Sequence, residues 1–172
     1  MKHWSPKLHQ HYVDYMDDLK KQYPELKFPF EKSIFSTTTY NLGPRTVSYP
    51  HIDFANLAFG WCVITALGSF DYKKGGHLIL WDLNLVIEFP PGSTILIPSA
   101  ILSHSNTTID EQERRYSVVQ YAAGGLIRWV DNGYQTADSL TAEEKAKHKS
   151  INAMQWERAL SFFHVFPGRS SK

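Results

Sequence analysis

The sequence predicts a mainly β fold with flanking helices (α+β), its strands wound as a double-stranded β-helix, or jelly roll. Three observations predict it. About eight short runs rich in β-branched and aromatic residues lie between Ser33 and Tyr121, separated by Gly, Pro, Asn and Asp. The two ends carry helical patterns instead. The chain, 172 residues with 42% apolar and 14% aromatic content, is long enough for one sizeable core and predicts a single domain over 1–172.

At the N-terminal end, Ser5-Pro6 is a good N-cap and first-turn pair, and Leu8, Tyr12, Tyr15, Met16 and Leu19 recur at helical spacing. This predicts a helix over about 5–22, stopped by Pro24. The jelly-roll core then spans about 33–130. Strands are expected near 34–40, 45–52, 60–67, 77–81, 84–89, 94–97, 102–105 and 115–121. "KKGGHLILW" reads as a turn feeding a strand, "WDLNL" as a tight hairpin, and "EFPPGSTILIP" as a turn and the next strand. Thr141-x-x-Glu144 is a capping-box signature opening a helix over about 141–163. Ile151, Met154, Ala159, Leu160 and Phe163 give that helix a partial apolar stripe, and "FPGRSSK" reads as a frayed end. Eight antiparallel strands with this punctuation suit the cupin-like jelly roll, with a generic β-sandwich as the alternative.

Composition limits the function. The net charge is +1 and the pI about 7.9, so no global basic field marks a nucleic-acid binder. Cys62 is the only cysteine, which excludes an intramolecular disulfide and fits a reducing compartment. The first residues lack an apolar signal core, and no apolar run reaches membrane-spanning length. The expectation is an intracellular protein with no membrane partner.

The chemistry starts at "YPHIDFANLAFGW", where His51 and Asp53 stand two apart. With 8 His and 9 Asp in the chain, one such pair is expected by chance about 0.4 times, so alone it carries little. A jelly roll gives it a test. Period 2 puts His51 and Asp53 on one strand face, and a late strand can bring a second histidine to them. Two imidazoles and one carboxylate would then hold Fe(II) on one octahedral face, leaving positions for a cosubstrate and O₂. His104, in "PGSTILIPSAILSHSNTT", follows a Gly-rich turn and an apolar strand, 53 residues after His51. A 2-oxoglutarate cosubstrate needs a fixed cation for its distal carboxylate, preferably the fork of an arginine. "RRYSVVQY" supplies Arg115 with Ser117 on the same face, and puts Arg114 on the other. The bland alternatives are a strand histidine at 51, a loop histidine at 104, and an Arg115–Glu113 surface pair. His3, His9, His11, His148 and His164 read as surface or helix residues, and His77 as an exposed turn residue.

Taken together, "HIDFANLAFGWCVITALG" with "GGHLILWDL…PPGSTILIPSAILSHSN…RRYSVVQY" resembles the TET/JBP branch of Fe(II)- and 2-oxoglutarate-dependent dioxygenases, in its small fungal type, over about residues 36–130. His51, Asp53, Asn56, Gly60 and the strand "CVITAL" match that family's first block, and Arg115, Ser117, Val119 and Tyr121 match its last. The resemblance implies substrate-binding roles for Asn56, which would touch the target base, and for Val119 and Tyr121, the latter stacking on a flipped base. The chain departs from the pattern at Ala55 and Ala123, where the family often places histidines, and it lacks the family's long DNA-gripping extensions. Fe(II), 2-oxoglutarate and O₂ are the implied cofactor and cosubstrates. The implied reaction oxidises a methylated nucleobase, 5-methylcytosine in DNA first of all, to hydroxymethylcytosine. A DNA substrate would imply a nuclear location and a part in DNA demethylation. Two rivals remain: the same oxygenase acting on a small molecule or protein side chain, and a silent jelly roll kept as a binding module. Scattered cations such as Arg45, Lys73 and Lys74 could touch phosphates.

Overall fold

The structure, a computed structural model, describes residues 1–153 and 155–162. The described residues divide into two compact units, one formed by 27–128 and the other by 1–26 with those from 129 onward.

The first unit is built from seven strands: β1 (Thr37–Asn41), β2 (Cys62–Ser69), β3 (Leu78–Leu80), β4 (Leu85–Ile87), β5 (Thr94–Ile97), β6 (His104–Asn106) and β7 (Arg114–Tyr121). They form two open antiparallel sheets, ordered β1-β7-β2-β5 and β4-β3-β6. The segment expected as a strand at 45–52 is reduced to isolated bridges, His51 pairing with His104 and Arg45 with Arg115. Counted in its place beside β6, it makes the chain pass from sheet to sheet at most connections. That alternation is the jelly roll, and it sets aside the generic sandwich.

The shortfall at 45–52 has a local cause. Pro44 and Pro50 have no N–H to give a ladder. Asn106 substitutes with its side chain: its Oδ1 accepts from the Ser48 N–H and hydroxyl, both at 2.9 Å, and its Nδ2 donates to the Thr46 carbonyl at 3.1 Å. The direct bond in the middle, from the Asn106 N–H to the Ser48 carbonyl, is long at 3.4 Å, and shorter ones stand toward the ends, where His51 and His104 exchange N–H···O bonds of 3.1 and 2.9 Å. The strand expected at 102–105 starts later, because Ile101 and Leu102 turn back on the Pro98 carbonyl.

The core joins Cys62, Ile64 and Ala66 of β2 to Leu78 and Leu80 of β3, Phe89 and Ile97. Gly68 on β2 pairs with Arg115 and has φ of 118°, where a Cβ would drive into the Arg114 carbonyl. Gly68→Ala is therefore expected to destabilise the fold by at least about 1–3 kcal/mol, read as a lowered urea midpoint. Trp81–Leu83 forms a 3₁₀ turn closed by Asn84 in the left-handed region, which makes the β3–β4 hairpin at "WDLNL". His77 is half-buried rather than exposed, with Nδ1 3.5 Å from the Thr107 hydroxyl.

Helix α2 (Gly124–Asp131) was not among the expected elements. Gly124 starts it because its α-carbon lies against the Ala55 and Asn56 carbonyls, 3.3 and 3.2 Å from where a Cβ would stand.

In the second unit, α1 (Pro6–Gln22) buries Leu8, Tyr12, Tyr15, Met16 and Leu19 on one face. Ser5 sits at its N-cap, yet the hydroxyl donates to the Phe162 carbonyl at 3.1 Å instead of capping. The capping box at Thr141 and Glu144 is formed, the Glu144 carboxylate accepting from the Thr141 N–H and hydroxyl. It opens α3 (Ala142–Ala153), and α4 (Gln155–Ser161) follows. Ile151 and Leu160, expected in an apolar stripe, are exposed. Met154, Phe163, His164 and the expected frayed tail lie outside the described residues. No helix among the described residues is long and apolar enough to cross a membrane.

Candidate metal centre

β6 and the segment before β2 set the histidines side by side, because the His51–His104 bridge makes them direct neighbours across the ladder. Their ring centroids are 4.4 Å apart. His51 Nε2 lies 3.6 Å from Asp53 Oδ1, and His104 Nε2 lies 3.9 Å from Oδ2. One ligand atom from each of the three residues falls within 4.8 Å of the others. His104 is buried and His51 stands at the open side.

The hydrogen bonds settle what these atoms can do. His51 Nδ1 is 2.7 Å from the Tyr49 carbonyl, and His104 Nδ1 is 2.9 Å from the Leu102 carbonyl. A carbonyl only accepts, so each neutral ring carries its proton on Nδ1 and a lone pair on Nε2. Two ring lone pairs and a carboxylate thus face one another at distances too long for hydrogen bonds. Acceptors gathered without a donor to join them suit a divalent cation, and the two carbonyls supply the outer support that fixes each ring. No other group of three His, Cys, Asp or Glu side chains converges this way among the described residues.

Arg115 on β7 is 3% exposed, while Arg114 beside it is exposed. Its Nη1 donates to the Thr46 carbonyl at 3.2 Å, and its buried Nε has no partner. No carboxylate among the described residues pairs with it. Glu113 is engaged elsewhere, accepting from the backbone N–H groups of Asp71 and Asp110 at 2.6 and 2.9 Å. Burial lowers the pKa of the guanidinium from its ordinary value, a sign that the charge sits in a poorly solvated place. Ser117, also buried, shares the face of Arg115 and accepts from Asn41 Nδ2 at 2.9 Å.

One cavity of about 570 Å³ joins these groups. His51, Asp53, Asn56, His104, Arg115, Ser117, Val119 and Tyr121 all line it. Tyr121 lies half-buried with its hydroxyl 3.5 Å from that of Thr39. Asn56 is turned toward the carboxylate, Nδ2 donating to Asp53 Oδ2 at 3.2 Å. The sequence reading missed Asn106, although "HSN" puts it two residues after His104 on the same strand face. It also missed the apolar rim: Val47, Ile52 and Phe54 line the mouth while exposed, Phe54 to 87%. Arg45, Lys73 and Lys74 do not line the cavity, and Lys74 instead lies 3.6 Å from Asp71.

No protein-family model matches the chain, and no curated protein does. Among solved structures, the chain is similar to NgTET1 in complex with 5mC DNA, at 18% identity and a TM-score of 0.48. The match covers 72% of this chain and 51% of that one, so the chain spans about half the length of NgTET1.

Proposed function

We propose that the protein is an Fe(II)- and 2-oxoglutarate-dependent oxygenase. The observation that carries this reading is the joint lining of one cavity by a His-Asp-His cluster whose ligand atoms face one another and a buried arginine without a carboxylate partner among the described residues. A metal site alone would not need the arginine, and a structural arginine would be paired.

His51, Asp53 and His104 would hold the iron through Nε2, a carboxylate oxygen and Nε2. With 2-oxoglutarate and O₂, the bound iron supplies the oxidation: one oxygen atom enters a substrate C–H bond, the other enters succinate, and CO₂ leaves. The chain's own residues orient and exclude. Arg115 would fix the distal carboxylate of 2-oxoglutarate through the guanidinium edge carrying Nε, and Ser117 would add a hydroxyl beside it. Burial of Arg115 keeps water from competing for that anion. Val119 and Tyr121 continue the same face and give the substrate an apolar wall.

The substrate we propose is a methylated nucleobase, 5-methylcytosine in DNA, with hydroxymethylcytosine as product. Once the triad and Arg115 are assigned, the rest of the lining is uncharged, which suits a neutral flat ring. Tyr121 offers an aromatic surface for stacking. One observation favours a second reading, hydroxylation of an uncharged small molecule: the rim is apolar, and no lysine lines the cavity to meet a phosphate.

The test is succinate formation from 2-oxoglutarate with Fe(II) and ascorbate, with and without 5-methylcytosine DNA, plus mass spectrometry of the digested nucleosides. Succinate coupled to hydroxymethylcytosine is the expected result. Succinate with unchanged nucleosides would remove the DNA substrate and leave the oxygenase. No succinate in any sample would sink the oxygenase reading.

A further inference from the structure

We propose that Asn56 and Ser99 form a positioning pair that holds the Asp53 carboxylate for the metal ion, so that the side-chain N–H groups of Asn56 serve a ligand and not the substrate. The inference rests on the metal-centre reading above.

The pair is built in steps from the core outward. Ser99 follows β5 and is 1% exposed. Asn56 Nδ2 donates to the Ser99 hydroxyl oxygen and to Asp53 Oδ2, each at 3.2 Å. Both amide hydrogens are then in use. An Asn56 N–H could reach a substrate only by releasing Asp53 or Ser99.

The backbone repeats the arrangement. The Asp53 N–H donates to the Ser99 carbonyl, and the Asn56 N–H donates to the Asp53 carbonyl, both at 2.9 Å. The turn is closed from its other side by N–H groups of Leu57 and Gly124, which reach the Ala122 and Ala55 carbonyls. Asp53 is thereby held at its main chain and at one carboxylate oxygen. Its other oxygen, Oδ1, meets no N–H or O–H donor among the described residues and lies on the side of His51. One oxygen is anchored and the other is presented. A ligand fixed in advance gives up less conformational freedom when the ion binds.

The experiment is a titration of the metal-free protein with Co(II), followed by calorimetry and by the visible absorption of the bound ion. Asn56→Ala is expected to weaken Co(II) binding by about 10–100-fold, the usual cost of losing a supporting hydrogen bond to a ligand, and to alter the band. Ser99→Ala, which keeps the backbone carbonyl that holds the Asp53 N–H, is expected to give a smaller loss in the same direction. Near-ultraviolet circular dichroism establishes that each variant is folded, and Ser99→Ala reads the effect if Asn56→Ala does not fold. Binding by both variants within about twofold of the parent, well short of that cost, would overturn the proposal. A parent protein that binds no Co(II), or whose binding His104→Ala leaves unchanged, would remove the metal centre itself and the proposal with it.

Discussion

His104→Ala is expected to abolish metal binding while leaving the fold intact. His104 is 5% exposed and supplies the innermost of the three ligand atoms. Its removal takes a direct ligand away, so the loss in Co(II) or Fe(II) affinity should exceed the roughly 10–100-fold that a missing outer support costs. Metal-dependent succinate formation should fall below detection with it. Its backbone N–H and carbonyl pair with His51 and survive the substitution, so the β6 register is retained. Calorimetry with Co(II) on the variant checks this directly. Undiminished affinity would place the ion elsewhere.

The second large effect has two signs. Arg115→Met should raise the stability of the free protein and remove its use of 2-oxoglutarate. The guanidinium is buried, carries an unpartnered Nε, and faces no carboxylate among the described residues. Replacing such a charge by an apolar side chain of similar reach stabilises by on the order of 1–4 kcal/mol. Two charge-assisted hydrogen bonds to a bound carboxylate contribute about 3–6 kcal/mol together, so affinity for 2-oxoglutarate should fall by roughly 10²–10⁴-fold. Arg115→Lys should recover only part of this, since an ammonium keeps the charge and loses the fork. Thermal melts with and without 2-oxoglutarate read both signs, because a ligand that binds only the folded state raises its midpoint. A destabilised Arg115→Met protein would show instead that the arginine serves the fold.

What the sequence made legible follows from periodicity. Period 2 along "RRYSVVQY" separated Arg115 from Arg114, and burial separates them in the same way. The two histidines could be paired from strand order, because a jelly roll brings early and late strands together. The misses arose where a side chain replaced the backbone. Strand 45–52 reads as a good ladder by composition, yet Pro50 and the flanking Pro44 interrupt the bonding and the Asn106 side chain supplies much of what remains. No pattern within residues 45–52 reveals that, because the rescuing group lies 58 residues away. The orientation of Asn56 was equally hidden. Its bond to Ser99 joins residues 43 apart in the chain, which no local pattern shows. Helix α2 was concealed by its opening glycines, of which Gly124 reflects a close approach to the Ala55 and Asn56 carbonyls.

The tether at Asn106 has a consequence for how the site comes apart. A segment held by the Asn106 amide, the Thr46 hydroxyl, one long backbone bond at Ser48 and bridges toward its ends opens more readily than the sheets it lies between. His51 rides on that segment and Asp53 follows it directly, while His104 belongs to β6. An ion shared by all three would act as a removable rivet across 53 residues of chain. Iron would then be part of the scaffold as well as the chemistry, and its departure would loosen the wall of the cavity from which it left.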